Sequence, residues 1–321
     1  MRNITLIVIV SVAVILASVL IGPKIISPFS IDDISKQVIV AIRLPRVIVA
    51  LLMGCALGAS GAVLQGILRN PLADPYILGI SSGAALVAVM GILLGSTALG
   101  LLTVPVFAFV GAIVTGLLVG AMGYKKGGLL PERLLLAGVG LGFLFSAVLM
   151  MILSVSTDEG LRRAVLWVYG DLSMADWSLI PYGLFFIIVG LTISLLRAKG
   201  LNALMLGDDI AYSLGFSPDS ERALLFVSVG LMTASAVSLG GIVGFVGLLV
   251  PHIVRFIAGS DGRVLIPLSA LMGGTLLCFA DTVGRTVMAP MELPSGIITA
   301  IIGAPYFLYL LRKKDVLGER K

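Results

Sequence analysis

Arg43-Leu44-Pro45-Arg46 places two guanidiniums three residues apart, at the mouth of an apolar run from Val47 to Leu68 that carries no charge. The run ends in Arg69-Asn70-Pro71-Leu72-Ala73-Asp74-Pro75. Fixed cations at a helix end recognise and orient carboxylates; they do not catalyse. The groups that covalent chemistry needs are missing. No G-x-x-x-x-G-K-[ST] occurs, so the chain has no phosphate-cradling loop of its own. His252 is the only histidine and reads as a helix-end residue beside Pro251. Cys55 and Cys278 both fall in apolar stretches, where neither a disulfide framework nor a thiolate metal site is expected. No His/Asp/Glu cluster supports a metal centre or a hydrolytic site, so the chain is assigned no catalytic residue, no metal and no cofactor.

A second chemically distinct stretch is Arg197 to Arg222. Within it, Ala203 to Gly215 reads as a short amphipathic helix, with Gly207 before it and Gly215 as its C-terminal stop. Asp208 and Asp209 fall at its N-terminus, where the helix dipole favours negative charge. Leu206, Ile210 and Leu214 recur every four residues, an apolar stripe whose simplest cover is a partner protein.

The elements that must position these residues are membrane helices. Hydrophobic residues make up 59% of the chain and charged residues 12%, against about 25% charged in a soluble domain. The expected fold is an all-α polytopic membrane protein, a single transmembrane domain over 1–321 with a polar cytoplasmic segment at about 198–222. A hydrocarbon core of about 30 Å needs about 20 apolar residues per span. Ten spans are expected, at 4–22, 47–68, 76–95, 104–123, 134–154, 177–196, 223–239, 242–258, 264–281 and 297–312, the first an uncleaved span. The Gly240-Gly241 gap is the shortest boundary, and the third and ninth spans are candidates for broken helices.

With the N-terminus in the cytoplasm, 15 of the 22 Lys and Arg fall inside, and 7 fall outside: Lys24, Lys36, Arg43, Arg46, Arg162, Arg163 and Arg285. Both termini are then cytoplasmic, and the net charge of +5 reflects topology rather than nucleic-acid binding. Glycines recur inside the spans, as at Gly54/Gly58 and Gly273/Gly274, where helix backbones approach closely. Ionisable residues are scarce there: Glu132 near the inner end of the fifth span, Asp281 and Arg285 near the outer end of the ninth. A charge at the bilayer centre costs roughly 2.5–3.5 kcal/mol on insertion scales, so ion-coupled carriers retain such residues for coupling. Their scarcity argues for an external energy source.

In order along the chain, Arg43-Leu44-Pro45-Arg46, Asn70 to Pro75, Arg133-Leu134-Leu135-Leu136-Ala137-Gly138, Gly244-Phe245-Val246-Gly247-Leu248 with Pro251-His252 and Arg255, Glu292-Leu293-Pro294 with Gly296, and Gly303-Ala304-Pro305 resemble the permease subunits of type II ABC importers for iron chelates, haem and vitamin B12. The match covers about residues 40 to 312. The resemblance implies about ten transmembrane helices per subunit, agreeing with the span count, and a pore formed by a dimer with a second permease subunit, identical or paralogous. It implies cytoplasmic ATP-binding subunits that hold ATP and Mg, an extracytoplasmic substrate-binding protein, and a multi-pass location in the plasma membrane. The family's docking arginines fall on Arg43, Arg46 and Arg285, which would receive acidic residues from the binding protein's two lobes. Its ATPase-coupling contacts fall on Leu206, Gly207, Asp208, Ala211, Leu214 and Gly215. Pro131 and Glu132 stand where relatives carry small hydroxyl residues, so no cytoplasmic gate is assigned. Iron-siderophore is the first expected cargo, haem or cobalamin next. The alternative is a secondary transporter or channel with no ATPase partner.

Overall fold

The computed structural model describes residues 2–23, 26, 32–95, 99–125, 128–156 and 158–312. The expected flanking cations Lys24, Lys126, Lys313, Lys314, Arg320 and Lys321 lie outside them. The chain is almost wholly helical. Helices α1 (Arg2–Leu20) and α2 (Asp33–Val38) precede a π-helical turn, Ile39–Arg43, that leads straight into α3 (Leu44–Ile67). A 3-10 turn at Pro75–Leu78 introduces α4 (Ile80–Leu93), and another at Gly100–Leu102 introduces α5 (Thr103–Gly123). A two-stranded hairpin, β1 (Tyr124–Lys125) and β2 (Gly128–Leu129), joins α5 to α6 (Pro131–Ser154). Then follow α7 (Asp158–Val168), α8 (Leu179–Leu196), α9 (Ala198–Leu206), α10 (Asp208–Ser213), α11 (Pro218–Gly240), α12 (Val246–Ala258), α13 (Gly262–Thr286) and α14 (Ser295–Arg312).

The ten expected spans correspond to α1, α3, α4, α5, α6, α8, α11, α12, α13 and α14. Six helical stretches are long and apolar enough to cross a bilayer, and α1, α4, α12 and α14 are shorter apolar helices. Of the two candidates for a break, the third span is interrupted: Gly79, at φ 70°, separates the 3-10 turn from α4. The ninth is not, because α13 runs unbroken for 25 residues. The broken span is instead the eighth, where residues 241–245 are irregular and α12 starts only at Val246.

The second span also differs from its expected start. Asp32 caps α2, its Oδ1 accepting from the Ser35 amide at 3.0 Å, and helical backbone then continues to Ile67. Pro45 sits inside this stretch without breaking it. In the π-turn the Leu44 amide donates five residues back, to Ile39 O. The next donor in that register would be Pro45, which has none, and the freed Val40 carbonyl accepts from Trp177 Nε1 at 3.0 Å instead.

Helix α3 is the centre of the bundle, with α13, α11 and α12 packed on it. Its glycines make this possible. A methyl group on Gly54 would run into the Gly273 carbonyl, one on Gly58 into the Ser269 carbonyl, and one on Gly61 into the Gly247 carbonyl. Lipid supplies no hydrophobic drive between helices, so contact of this kind carries the association. At the other extreme, only 11% of the most apolar window of α6 is buried. Gly58→Leu should force α3 from α13 and cost at least the roughly 1–3 kcal/mol of core overpacking. The expected outcome is loss of the monodisperse peak in detergent size-exclusion chromatography; a normal profile would contradict the backbone contact.

Candidate functional site

Three polar constellations hang from α3, one at each end and one between. At the C-terminal end, the expected amphipathic helix is two helices. Gly207 takes φ 128°, ψ 155°, a conformation closed to L side chains, and divides α9 from α10. Asp208 and Asp209 do start α10. Its end is a Schellman motif: Gly215 (φ 84°) donates to Tyr212 O and Phe216 to Ala211 O, both at 3.0 Å. Leu206, Ile210 and Leu214 are 64%, 45% and 58% exposed, so the stripe is uncovered. Tyr212 is also exposed, two residues from both Ile210 and Leu214 and so on a different side of α10.

Two expected contacts are engaged within the chain. Ala211 is fully buried, on the face of α10 that packs onto the bundle, and Asp208 is half-exposed. Asp208 is held by Arg69 and by Arg222. Helix α9 is fixed separately. Asn202 donates to Asp261 Oδ1 at 2.8 Å and accepts from the Gly262 amide at 2.7 Å, which ties α9 to the start of α13. Hydrogen bonds from Arg263 and Asn202 hold the Asp261 carboxyl well below the usual carboxylate range. A depressed pKa stabilises above the unfolded value and fails as pH falls, so this tie persists through neutral and mildly acidic pH.

Between the ends, the loop after α3 folds back to complete the broken span. Helix α12 begins beside Gly61, about 9 Å short of the C-terminal end of α3 at 1.5 Å per residue. Non-helical backbone at that depth survives only if its polar groups are satisfied within the protein. Asp74 accepts from the Tyr76 amide at 2.9 Å and from the Leu248 amide in the first turn of α12. Tyr76 OH accepts from the Val243 amide at 3.1 Å. Pro251 cannot donate to Gly247 O four residues earlier, and Gln65 Nε2 takes that carbonyl at 3.2 Å, along with Ala73 O at 3.2 Å. Arg255 Nη1 donates to Gln65 Oε1 at 2.7 Å and fixes the amide's orientation. The motifs around Asn70–Pro75 and Gly244–Arg255 are thus two halves of one capped helix start.

At the N-terminal end of α3, Arg46 and Asp281 form a double hydrogen bond, from Nε at 3.0 Å and 3.1 Å, with Nη2 at 2.9 Å. Arg46 Nη1 meets Glu292 Oε2 at 2.6 Å. Arg285 Nε lies 3.0 Å from Asp281 Oδ2, and its Nη2 donates to Ser18 O at 2.9 Å. Arg43 Nη1 donates to Val19 O at 3.2 Å and Leu20 O at 2.6 Å, the exposed carbonyl end of α1. Arg43 and Arg46 therefore lie inside a helix rather than at its mouth, because that helix starts at Asp33. All three arginines are buried and engage acceptors of this chain. Glu292, with 37% of its side chain exposed, is the member of the cluster facing solvent. Sequence reading passed over Asp281 as a partner; the signal was its spacing of four from Arg285 on one helix face.

Among the described residues no group of three or more His, Cys, Asp or Glu is placed to hold a metal ion.

Comparison with known proteins fits these geometries. The model of the FecCD transport family matches residues 5–313. The cobalamin import system permease protein BtuC of Halobacterium salinarum is 42% identical over 288 residues, 90% of this chain and 77% of that protein. The hemin transport system permease protein HmuU of Yersinia pestis is 39% identical, covering 89% and 86%. A solved structure of a metal-chelate type ABC transporter in an inward-facing conformation superposes with a TM-score of 0.88 at 33% identity, over 96% of this chain and 97% of that one.

Two substitutions separate the buried ion pairs from the exposed one. Asp281→Ala strands Arg46 and Arg285, and breaking such a buried pair costs about 3–5 kcal/mol. Glu292→Gln, at a half-exposed position, should cost under about 1 kcal/mol. Thermal unfolding in nanodiscs should rank them in that order; equal melting temperatures would refute the buried cluster. Gln65→Leu leaves buried carbonyls unpaired, at about 1–3 kcal/mol each, and should lower the melting temperature by an amount comparable to Asp281→Ala.

Proposed function

The chain belongs to the FecCD transport family, and on that ground we propose that it is the membrane half of an ATP-driven importer that carries a metal chelate handed over by a substrate-binding protein. Relatives named for cobalamin, hemin and siderophore transport support a large chelate as cargo, with iron-siderophore first and haem or cobalamin next. The permease performs no covalent chemistry; ATP and Mg bind on a separate cytoplasmic subunit. The observation that carries the reading is the uncovered stripe Leu206, Ile210 and Leu214 on a short helix pair at the inner ends of α8 and α11. An apolar ridge of this kind suits a groove on an ATPase subunit. The exposed face of α6, with Leu136, Phe143 and Met150 outward, suits a second permease subunit across a shared pore.

In this reading both termini are cytoplasmic and the chain is a multi-pass protein of the plasma membrane. The binding protein docks at the outer end, where Arg43, Arg46 and Arg285 form an electropositive cluster. Docking there requires an incoming carboxylate to act on guanidiniums that Asp281, Glu292 and the α1 carbonyls already hold. Glu292 is the exposed acceptor it would displace.

Ile210→Glu with Leu214→Glu should reduce co-purification of the ATPase subunit at least tenfold, the effect of losing one interface hot spot of about 1.4 kcal/mol. Undiminished co-purification from native membranes would sink the coupling surface. Absence of any ATPase beside the unaltered chain would sink the importer reading.

A further inference from the structure

Asp208 occupies the point where three elements meet. Its Oδ1 accepts from Arg69, two residues past α3, and from Arg222 Nη2 at 2.8 Å, on the second turn of α11. Arg222 is buried, and its Nη1 donates to Leu129 O at 3.0 Å, which fastens the β1–β2 hairpin to the same point. Among the described residues, Asp208 makes the side-chain ion pairs of α10; the ties through Asn202 and Arg197 belong to α9 and the end of α8. Beyond the Gly207 break, α10 is therefore held by one carboxylate and by the burial of Ala211.

Arg69 is itself unusual. Helix α3 closes with a Schellman motif, Arg69 donating to Gly66 O at 3.2 Å and Asn70 to Gln65 O at 3.1 Å. The position that glycine ordinarily takes is filled by Arg69 at φ 48°, a conformation in which an L residue is strained. The backbone would be better served by glycine, so the side chain is what the position retains. That side chain reaches Asp208.

We propose that Arg69, Asp208 and Arg222 form a clasp that makes α10 move as one body with the inner ends of α3 and α11, so that Asp208 transmits force within the permease and is not an ATPase contact. The proposal rests on the coupling reading of α10 and names how that helix grips the transmembrane core. An ATPase that shifts α10 then shifts α3, whose glycine contacts hand the motion to α12 and α13.

The test uses the full chain with its co-purified ATPase subunit in nanodiscs, on a Cys55→Ala, Cys278→Ala background. Spin labels go on exposed positions of α10 and α11, at Tyr212→Cys and Val227→Cys. With ATP, Mg and vanadate, the unaltered clasp should give one narrow distance, unchanged by nucleotide. Arg69→Gly should retain the ATPase subunit and melt no lower than the parent, because glycine relieves the turn, yet show a second distance population on nucleotide binding. Asp208→Asn, which leaves the turn alone, should show the same. A single unchanged distance in both variants, with the ATPase still bound, overturns the clasp and leaves the coupling reading standing. Failure of the parent to bind any ATPase overturns the coupling reading and the clasp with it.

Discussion

Backbone-to-backbone contact along α3 is the constraint on which this molecule depends. Gly54, Gly58 and Gly61 present no side chain to α13 and α12, so main-chain carbonyls of Gly273, Ser269 and Gly247 lie against them. In lipid there is little hydrophobic gain from pressing helices together, and close dispersion contact has to supply it. A central helix held this tightly can serve as a rigid spine. Each polar group placed along it then fixes a different part of the bundle.

Those groups divide along the helix. Arg46, at its N-terminal end, gathers Asp281 on α13 and Glu292 on the approach to α14. Gln65, further along, holds the start of a helix that Pro251 has deprived of a donor. Arg69, past its C-terminal end, reaches Asp208 at the start of α10. The pattern explains why a chain so poor in charge keeps these residues. Arg46 and Gln65 satisfy groups that would otherwise be stranded in a medium with no water to accept them, whereas Arg69 and Asp208 meet at a partly exposed position.

The broken eighth span shows how irregular backbone is tolerated at depth. Residues 241–245 leave helical geometry; the Gly241 amide donates to Val237 O and the Val243 amide to Tyr76 OH. The Asn70–Pro75 loop therefore plays the part of a helix cap supplied from elsewhere in the chain. A capped half-helix can pivot without exposing its first turn, which is compatible with a protein that must change shape while embedded.

The sequence by itself determined the class of molecule. Ten apolar stretches near the length of a bilayer follow from composition and spacing alone, and each contains a helix, the third and eighth interrupted by irregular backbone. The uncovered stripe at Leu206, Ile210 and Leu214, the acidic start at Asp208 and Asp209, and the glycine stop at Gly215 were legible too, because helix periodicity and capping are local. Tertiary structure decided the rest. That Arg46 is buried depends on Asp281 and Glu292, more than 230 residues away along the chain, and that Arg43 is buried depends on the end of α1. That Ala211 is covered and Asp208 engaged depends on where α3 and α11 end relative to α10. Pairing and burial are properties of distance in space; apart from the four-residue spacing of Asp281 and Arg285, no local pattern in this chain encodes them.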